Sequence, residues 1–219
     1  MSLDICEIFY SLQGESTRAG LPCVFVRLSG CNLSCSWCDT TYAAAQAASM
    51  TPVSMTIGQI VDRVAAFECP MVEITGGEPL IQPQTPALIS MLLEKGFQVL
   101  LETNGSLSIA SVDPACIRIM DVKCPSSDEA GSFLLDNFNH MTAKDEIKFV
   151  VGSRQDYEYA VSVIKARLLN HPREHIHICP VFGRIELSDL AAWILKDRLG
   201  ARLSLQQHKI IWDPDLRGV

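Results

Sequence analysis

The feature that most constrains this chain is an alternation. Short runs rich in Val, Ile, Leu or Phe are followed, along most of its length, by amphipathic helical stretches. Pro22–Leu28, Met71–Thr75, Phe97–Glu102, Cys116–Val122, Glu146–Val151 and His175–Val181 read as strands. Several are apolar at consecutive positions, which suits a parallel sheet covered on at least one face. Between them, Thr56–Phe67 places Ile57, Ile60, Val61 and Val64 on one helical face. Pro86–Lys95 is a second helix with Gly96 as its stop, and Asp156–Leu169 a third. Ser188 is expected to cap a fourth, running to Leu199 with Gly200 beyond it. Cys124–Lys144 shows no clean helical period, and Leu203–Trp212 suggests a terminal strand.

Alternating strands and helices imply βα units with right-handed crossovers. A closed eightfold barrel usually needs about 250 residues, and this chain has 219. The expected fold is therefore α/β, a partial, open βα barrel of about six parallel strands, with residues 1–219 forming one domain. Active sites on such folds sit at the carboxyl ends of the strands. Gly30–Thr40, Gly76–Pro79, Thr103–Gly105 and Lys123–Ser127 all fall there.

The composition is ordinary for a globular chain, with 48% hydrophobic and 20% charged residues. A net charge of −7 gives no reason to expect a nucleic-acid face. No apolar run approaches the roughly 18 residues a membrane span needs. The opening MSLDICEIFY has early acids and no basic segment, so the expected location is cytoplasmic. Nine cysteines, an odd number, argue against a disulfide framework and for reduced thiols, some of them metal ligands. Cys6, Cys23, Cys69, Cys116, Cys124 and Cys179 are scattered, mostly in apolar surroundings, and read as small buried hydrophobes.

The other three are not scattered. Cys31, Cys35 and Cys38 have the spacing C-x3-C-x2-C directly after the first predicted strand. Three thiolates on one loop can hold one iron–sulfur cluster, and a simple electron carrier normally uses four. Three leave one iron open to a small molecule, as catalytic metal sites require. Zinc with a fourth ligand elsewhere is the alternative, but no second Cys pair is present, and His171, His175 and His177 are the remaining donors. Further along, Glu73-Ile74-Thr75-Gly76-Gly77-Glu78-Pro79 ends a strand. Its glycines allow close backbone approach to a ligand, and Glu78 or nearby carbonyls can accept from an ammonium.

The triplet and this second motif resemble the radical S-adenosylmethionine (SAM) superfamily, with Trp37 at the position usually held by an aromatic. The resemblance narrows over nearly the whole chain. The Leu12-Gln13-Gly14-Glu15 segment, Arg27, Asp39-Thr40, TGGEP, LETNG, DVKCPSS and the tail from Gln207 to Val219 are similar to the 7-carboxy-7-deazaguanine synthase (QueE) family. That resemblance implies a [4Fe–4S] cluster, SAM and Mg2+ as cofactors. It implies reductive SAM cleavage to a 5′-deoxyadenosyl radical, hydrogen abstraction from 6-carboxy-5,6,7,8-tetrahydropterin, ring contraction and loss of ammonia. It also implies a homodimer and an external, flavodoxin-like electron donor.

The same resemblance assigns roles. Cys31, Cys35 and Cys38 would hold the cluster and Thr40 an Mg2+, a hard cation suited to oxygen ligands. Trp37, Cys38, Asp39, Gly76, Gly77, Glu78, Glu102, Asn104, Asp121, Lys123 and Pro125 would surround SAM. Leu12, Gln13, Gly14, Glu15, Arg27, Thr75, His208 and the terminal Val219 would face the pterin. The chemistry is apt: Gln13 and Glu15 can pair with amide and amino edges, and Arg27 offers a planar fork to a carboxylate. Lys148, on the fifth predicted strand, either points inward or is a solvated edge lysine. Two rival readings remain at this stage, an activating enzyme for glycyl-radical proteins and a non-catalytic zinc or iron–sulfur module.

Overall fold

All six strands expected from the apolar runs form, within a nine-stranded open sheet. The computed structural model describes residues 2–44 and 51–219. In chain order the strands are β1 (Ser2–Leu12), β2 (Pro22–Leu28), β3 (Val53–Thr56), β4 (Met71–Gly76), β5 (Gln98–Thr103), β6 (Ile117–Asp121), β7 (Glu146–Val151), β8 (Ile176–Pro180) and β9 (Arg202–Leu203). The helices are α1 (Ile57–Ala65), α2 (Thr85–Glu94), α3 (Asn137–His140), α4 (Arg154–Arg167), α5 (Leu187–Lys196) and α6 (His208–Ile211). The sheet runs β3-β1-β2-β4-β5-β6-β7-β8-β9. From β2 onward every neighbouring pair is parallel, while β1 pairs antiparallel with both β2 and β3.

β1 is absent from the strand pattern expected from the sequence. Its burial alternates up to Ile5, and then a bulge between Ile5 and Glu7 shifts the register on β2. A bulge inserts one extra residue and breaks the period of two, so no single alternation spans the segment. The expected terminal strand over Leu203–Trp212 is also corrected. β9 stops at Leu203, and the chain turns so that the Gln207 N–H bonds to the Gly14 carbonyl before α6 begins. Ser188 does not cap α5, which starts at Leu187 after Glu186 and ends at Lys196. The 124–144 region holds one 3-10 turn and the four-residue α3, in keeping with its missing period.

The strands' two faces carry different chemistry. On β4, Val72 and Ile74 turn outward and join Leu88, Ile89 and Leu92 of α2 and Ile60 and Val64 of α1 in the core. Glu73 and Thr75 turn the other way, into the concave side. α1 is fixed by a capping box in which Thr56 and Gln59 satisfy each other's backbone N–H groups. No helix among the described residues is long and apolar enough to cross a membrane.

One buried ion pair ties β6 to the loop before β7. Asp145, fully buried, accepts from the Arg118 backbone N–H at 2.9 Å, from its guanidinium at 3.1 and 2.5 Å, and from Thr142. Removing one partner of such a pair strands the other charge in the interior. Asp145→Ala should therefore cost about 3–5 kcal/mol. Denaturant unfolding checks this, with a fall in unfolding free energy of that size expected.

Candidate active site

The concave face encloses a cavity of about 1140 Å³ at the carboxyl ends of the parallel strands. Twenty of the twenty-two residues expected to act on a ligand line it. Glu78 and Pro125 are the exceptions. Glu78 is fully buried, and its carboxylate accepts from Thr103 Oγ1, from the Asn104 N–H at 2.7 Å and from the Leu80 N–H. It joins the loop after β4 to the loop after β5, and burial pushes its carboxyl above the usual range. Pro125 opens the 3-10 turn that follows β6.

At the mouth lies the cysteine loop, held by the turn after β6 and by Glu129 of the cavity wall. Ser36 N–H donates to the Ser127 carbonyl at 3.1 Å, Ser36 Oγ donates to the Ser126 carbonyl at 2.9 Å, and Ser34 N–H donates to Glu129 at 2.7 Å. Asp156, at the start of α4, fixes the Ser126 end of that support through its backbone and hydroxyl. All three thiols are free and face the cavity. Burial pushes the Cys31 thiol up and the Cys35 thiol up to about 11, against the pull of Lys123 on Cys35. Among the described residues, no three Cys, His, Asp or Glu side chains converge as ligands of one metal ion. A cluster asks for a different arrangement, one thiolate for each of several irons.

Beneath the loop the two glycine motifs touch. Gly77 lies so close to the loop that a Cβ there would meet the Gly30 carbonyl oxygen at 2.3 Å and Cys31 Cβ at 2.6 Å. Asp121 reaches the cavity from β6. Its Oδ2 accepts from Lys123 at 2.8 Å, while Oδ1 is buried without a partner.

The floor is a buried ion network. Lys148 donates to Glu15 at 2.8 Å and to Glu102. Burial alone would depress its ammonium, but Glu102 and then Glu15 outweigh it and hold it well above the ordinary lysine range. Glu15, in turn, is held low by Lys148 against its own burial. Gln13 donates to Glu73 and accepts from the Glu15 N–H, so its amide is spent inside the wall. Burial first, then the neighbouring Glu102, raise the Glu73 carboxyl well above the usual range.

On the β2 side, Arg27 spends only Nε on Glu7, at 2.6 Å, which leaves its other nitrogens for the cavity. Tyr42 donates to the same Glu7 oxygen and carries Arg217 of the tail 4.1 Å above its ring. The tail crosses the open side of the cavity. Gln206 donates to Glu15 at 2.7 Å, Lys209 to Asp39 at 2.7 Å, and the His208 ring packs where a Cβ on Gly14 would stand.

Residues 25–190 match the radical SAM superfamily. The 7-carboxy-7-deazaguanine synthase of Chlorobaculum tepidum is 47% identical over 99% of this chain and 97% of its own length. This chain belongs to the 7-carboxy-7-deazaguanine synthase family. The synthase of Koribacter versatilis is 40% identical over 99% of this chain and 100% of its own. The crystal structure of QueE from Escherichia coli shares 25% identity, with a TM-score of 0.78 over 95% of each chain.

A member of this family carries a [4Fe–4S] cluster and SAM, and the residues present fit both. Three free thiols face one cavity, the glycines at the end of β4 line it while packing directly on the backbone of Leu28 and Gly30, and Asp121 Oδ1 is buried without a donor. Glu73, Tyr42, Gln206 and Lys209 join the site beyond the residues expected from sequence, and Lys148 takes the inward of its two expected positions. Glu73 had a signal, an acid inside the apolar run MVEIT, but it was read only as the first letter of a motif. Gly77→Ala should drive the cysteine loop off its seat. A loss of most bound iron after anaerobic reconstitution, with an unchanged melting temperature, is the expected result.

Proposed function

We propose that this chain, acting as a single domain, converts 6-carboxy-5,6,7,8-tetrahydropterin to 7-carboxy-7-deazaguanine with release of ammonia, in the biosynthesis of queuosine and related 7-deazapurines. The observation that carries the reading is one cavity with the thiol loop at its mouth and a buried acid–lysine network as its floor. When bound, the cluster and SAM supply a radical that abstracts hydrogen from the substrate. The chain's own residues bind, orient and shield.

Arg27 offers its free nitrogens to the substrate carboxylate in the bidentate geometry a guanidinium favours. Glu15, pinned by Lys148 and Gln206, presents a fixed negative edge to the amino and amide hydrogens of the pterin. Thr75, Leu12 and Gly14 frame that edge, and His208 and the Val219 carboxylate close it from the tail. Burial depresses the His208 ring, which favours a neutral hydrogen-bonding group. Trp37, Asp39, Gly76, Gly77, Asn104, Asp121 and Lys123 surround SAM. Thr40 contributes an oxygen to Mg2+, which keeps several waters and needs few protein ligands. An external flavodoxin-like donor, a homodimeric state and a cytoplasmic setting complete the reading.

Anaerobically reconstituted protein, given SAM, dithionite and 6-carboxytetrahydropterin, should yield 7-carboxy-7-deazaguanine by mass spectrometry. Cys35→Ala should lose the brown absorbance and all turnover. Intact SAM cleavage by the unmodified protein without any deazaguanine would sink the assignment and favour a protein substrate, as in glycyl-radical activation.

A further inference from the structure

Loss of ammonia is acid–base chemistry. The C–N bond breaks and its electron pair leaves on nitrogen, which must gain a proton. A neighbouring C–H bond breaks, and its pair forms the new double bond of the aromatic ring. The two protons balance, so no oxidant or reductant is consumed. What the step needs is a group that gives one proton and takes another within reach of the ring.

The cavity floor holds one arrangement suited to that exchange. Glu73 of β4 and Glu102 of β5 line the cavity from adjacent parallel strands, Glu73 standing opposite Leu100 and Glu102 lying two residues further along the same face. Glu73 is 2% exposed, whereas the Glu102 side chain is 28% exposed and lines the cavity. Around them stand Lys148 from β7, Glu15 from the loop after β1 and Asp121 from β6. Lys148 is spent on Glu102 and Glu15 and makes no hydrogen bond to Glu73. Among the described residues, the Gln13 amide is the one hydrogen-bond donor to the Glu73 carboxyl. Three carboxyl groups around one ammonium cannot all ionise away from water at tolerable cost. Lys148 donates to Glu102 and Glu15 and not to Glu73, so the shared proton resides on Glu73, in line with the direction in which its environment drives it.

We propose that Glu73 and Glu102 form a proton-sharing carboxyl pair that protonates the amine departing as ammonia and recovers the proton shed by the ring. Glu102 is the member that touches substrate. Glu73 is the positioning residue behind it, storing the proton. As nitrogen leaves, Glu73 passes its proton to Glu102, and Glu102 passes it on to the nitrogen. The ring proton then returns to Glu102 and restores the pair. This rests on the reaction proposed above.

The test follows hydrogen transfer and 7-carboxy-7-deazaguanine separately, in cluster-loaded protein with SAM, dithionite and 6-carboxytetrahydropterin deuterated on its reduced ring. Substrate equals product plus ammonia in atoms and electrons, so the abstracted hydrogen is returned, and deuterium entering SAM reports its abstraction. Glu73→Gln keeps the shape but cannot relay a proton. It should leave deuterium entry into SAM close to the unmodified protein's and lower product formation about 10²-fold, the usual size of a general-acid contribution. A rearranged species of the substrate's composition, with its nitrogen retained, should accumulate. Glu73→Asp retains an acid and should recover part of the lost rate. Product at the unmodified rate from Glu73→Gln overturns the pair, as does a parallel fall of deuterium transfer and product, or an Asp variant no better than Gln. Unmodified protein that makes no product overturns this and the parent reading together, whereas product from it beside an unaffected Glu73→Gln overturns this one alone.

Discussion

The Lys148 ammonium is the charge on which the interior depends. It sits on β7, facing the concave side, and contacts Glu102 of β5 and Glu15 of the loop that follows β1. Without it, three carboxyl groups would face one another across a space that excludes most water, and the loop carrying Glu15 would lose its one ion pair to the floor. A buried ion pair adds little net stability over an apolar replacement, but it fixes geometry and is costly to break from one side. Here the fixed geometry is the useful product. It sets the position of Glu15, and through Gln13 it also sets Glu73.

The parts that carry chemistry are held by parts that do not. Beyond its bond to Glu129, the cysteine loop receives its order from outside the cavity, from the turn after β6 and, behind that, from Asp156 on α4. The loop after β1 is ordered at the opposite end. Glu146, fully buried at the start of β7, accepts from the Thr17 N–H at 2.9 Å, from Thr17 Oγ1 at 2.6 Å and from Arg18 at 2.8 Å, and meets His177 at 2.6 Å. Those contacts outweigh the burial that would raise its carboxyl, and hold it low. Neither support touches the cavity, so thiols and acids keep their free atoms toward it.

Much of this was legible in the sequence because the signals were local. Apolar runs at consecutive positions that alternate with helical stretches mark strands of a parallel sheet, and the loops after them follow from topology. The cysteine spacing needs no third dimension. The misreadings have a common cause, contacts between residues far apart in sequence. β1 was hidden because its bulge is a property of its pairing with β2. The tail looked like a strand because Ile210, Ile211 and Trp212 are apolar, yet the turn is set by Gln207 meeting Gly14 nearly two hundred residues earlier. Glu78 shows the same limit from the other side. Its place in a glycine motif suggested a ligand contact, whereas it lies off the cavity and accepts from Thr103 and Asn104 at the end of the next parallel strand and from the Leu80 N–H.

An open sheet leaves a gap where a closed barrel would have further strands, and a radical reaction needs that gap shut. The chain fills it with its two ends. β1 and its following loop cover one side, and the segment from Ser204 to Val219 crosses the other. The crossing is stitched to both working regions, to Glu15 and Gly14 through Gln206 and Gln207, and to the cysteine loop through Lys209 on Asp39 and Arg217 on the Tyr42 ring. Tyr42 in turn shares its Glu7 acceptor with Arg27. The tail therefore bears on the thiol loop, the acid floor and the arginine at once. Pro214 to Val219 line the cavity as much as the strands that build it.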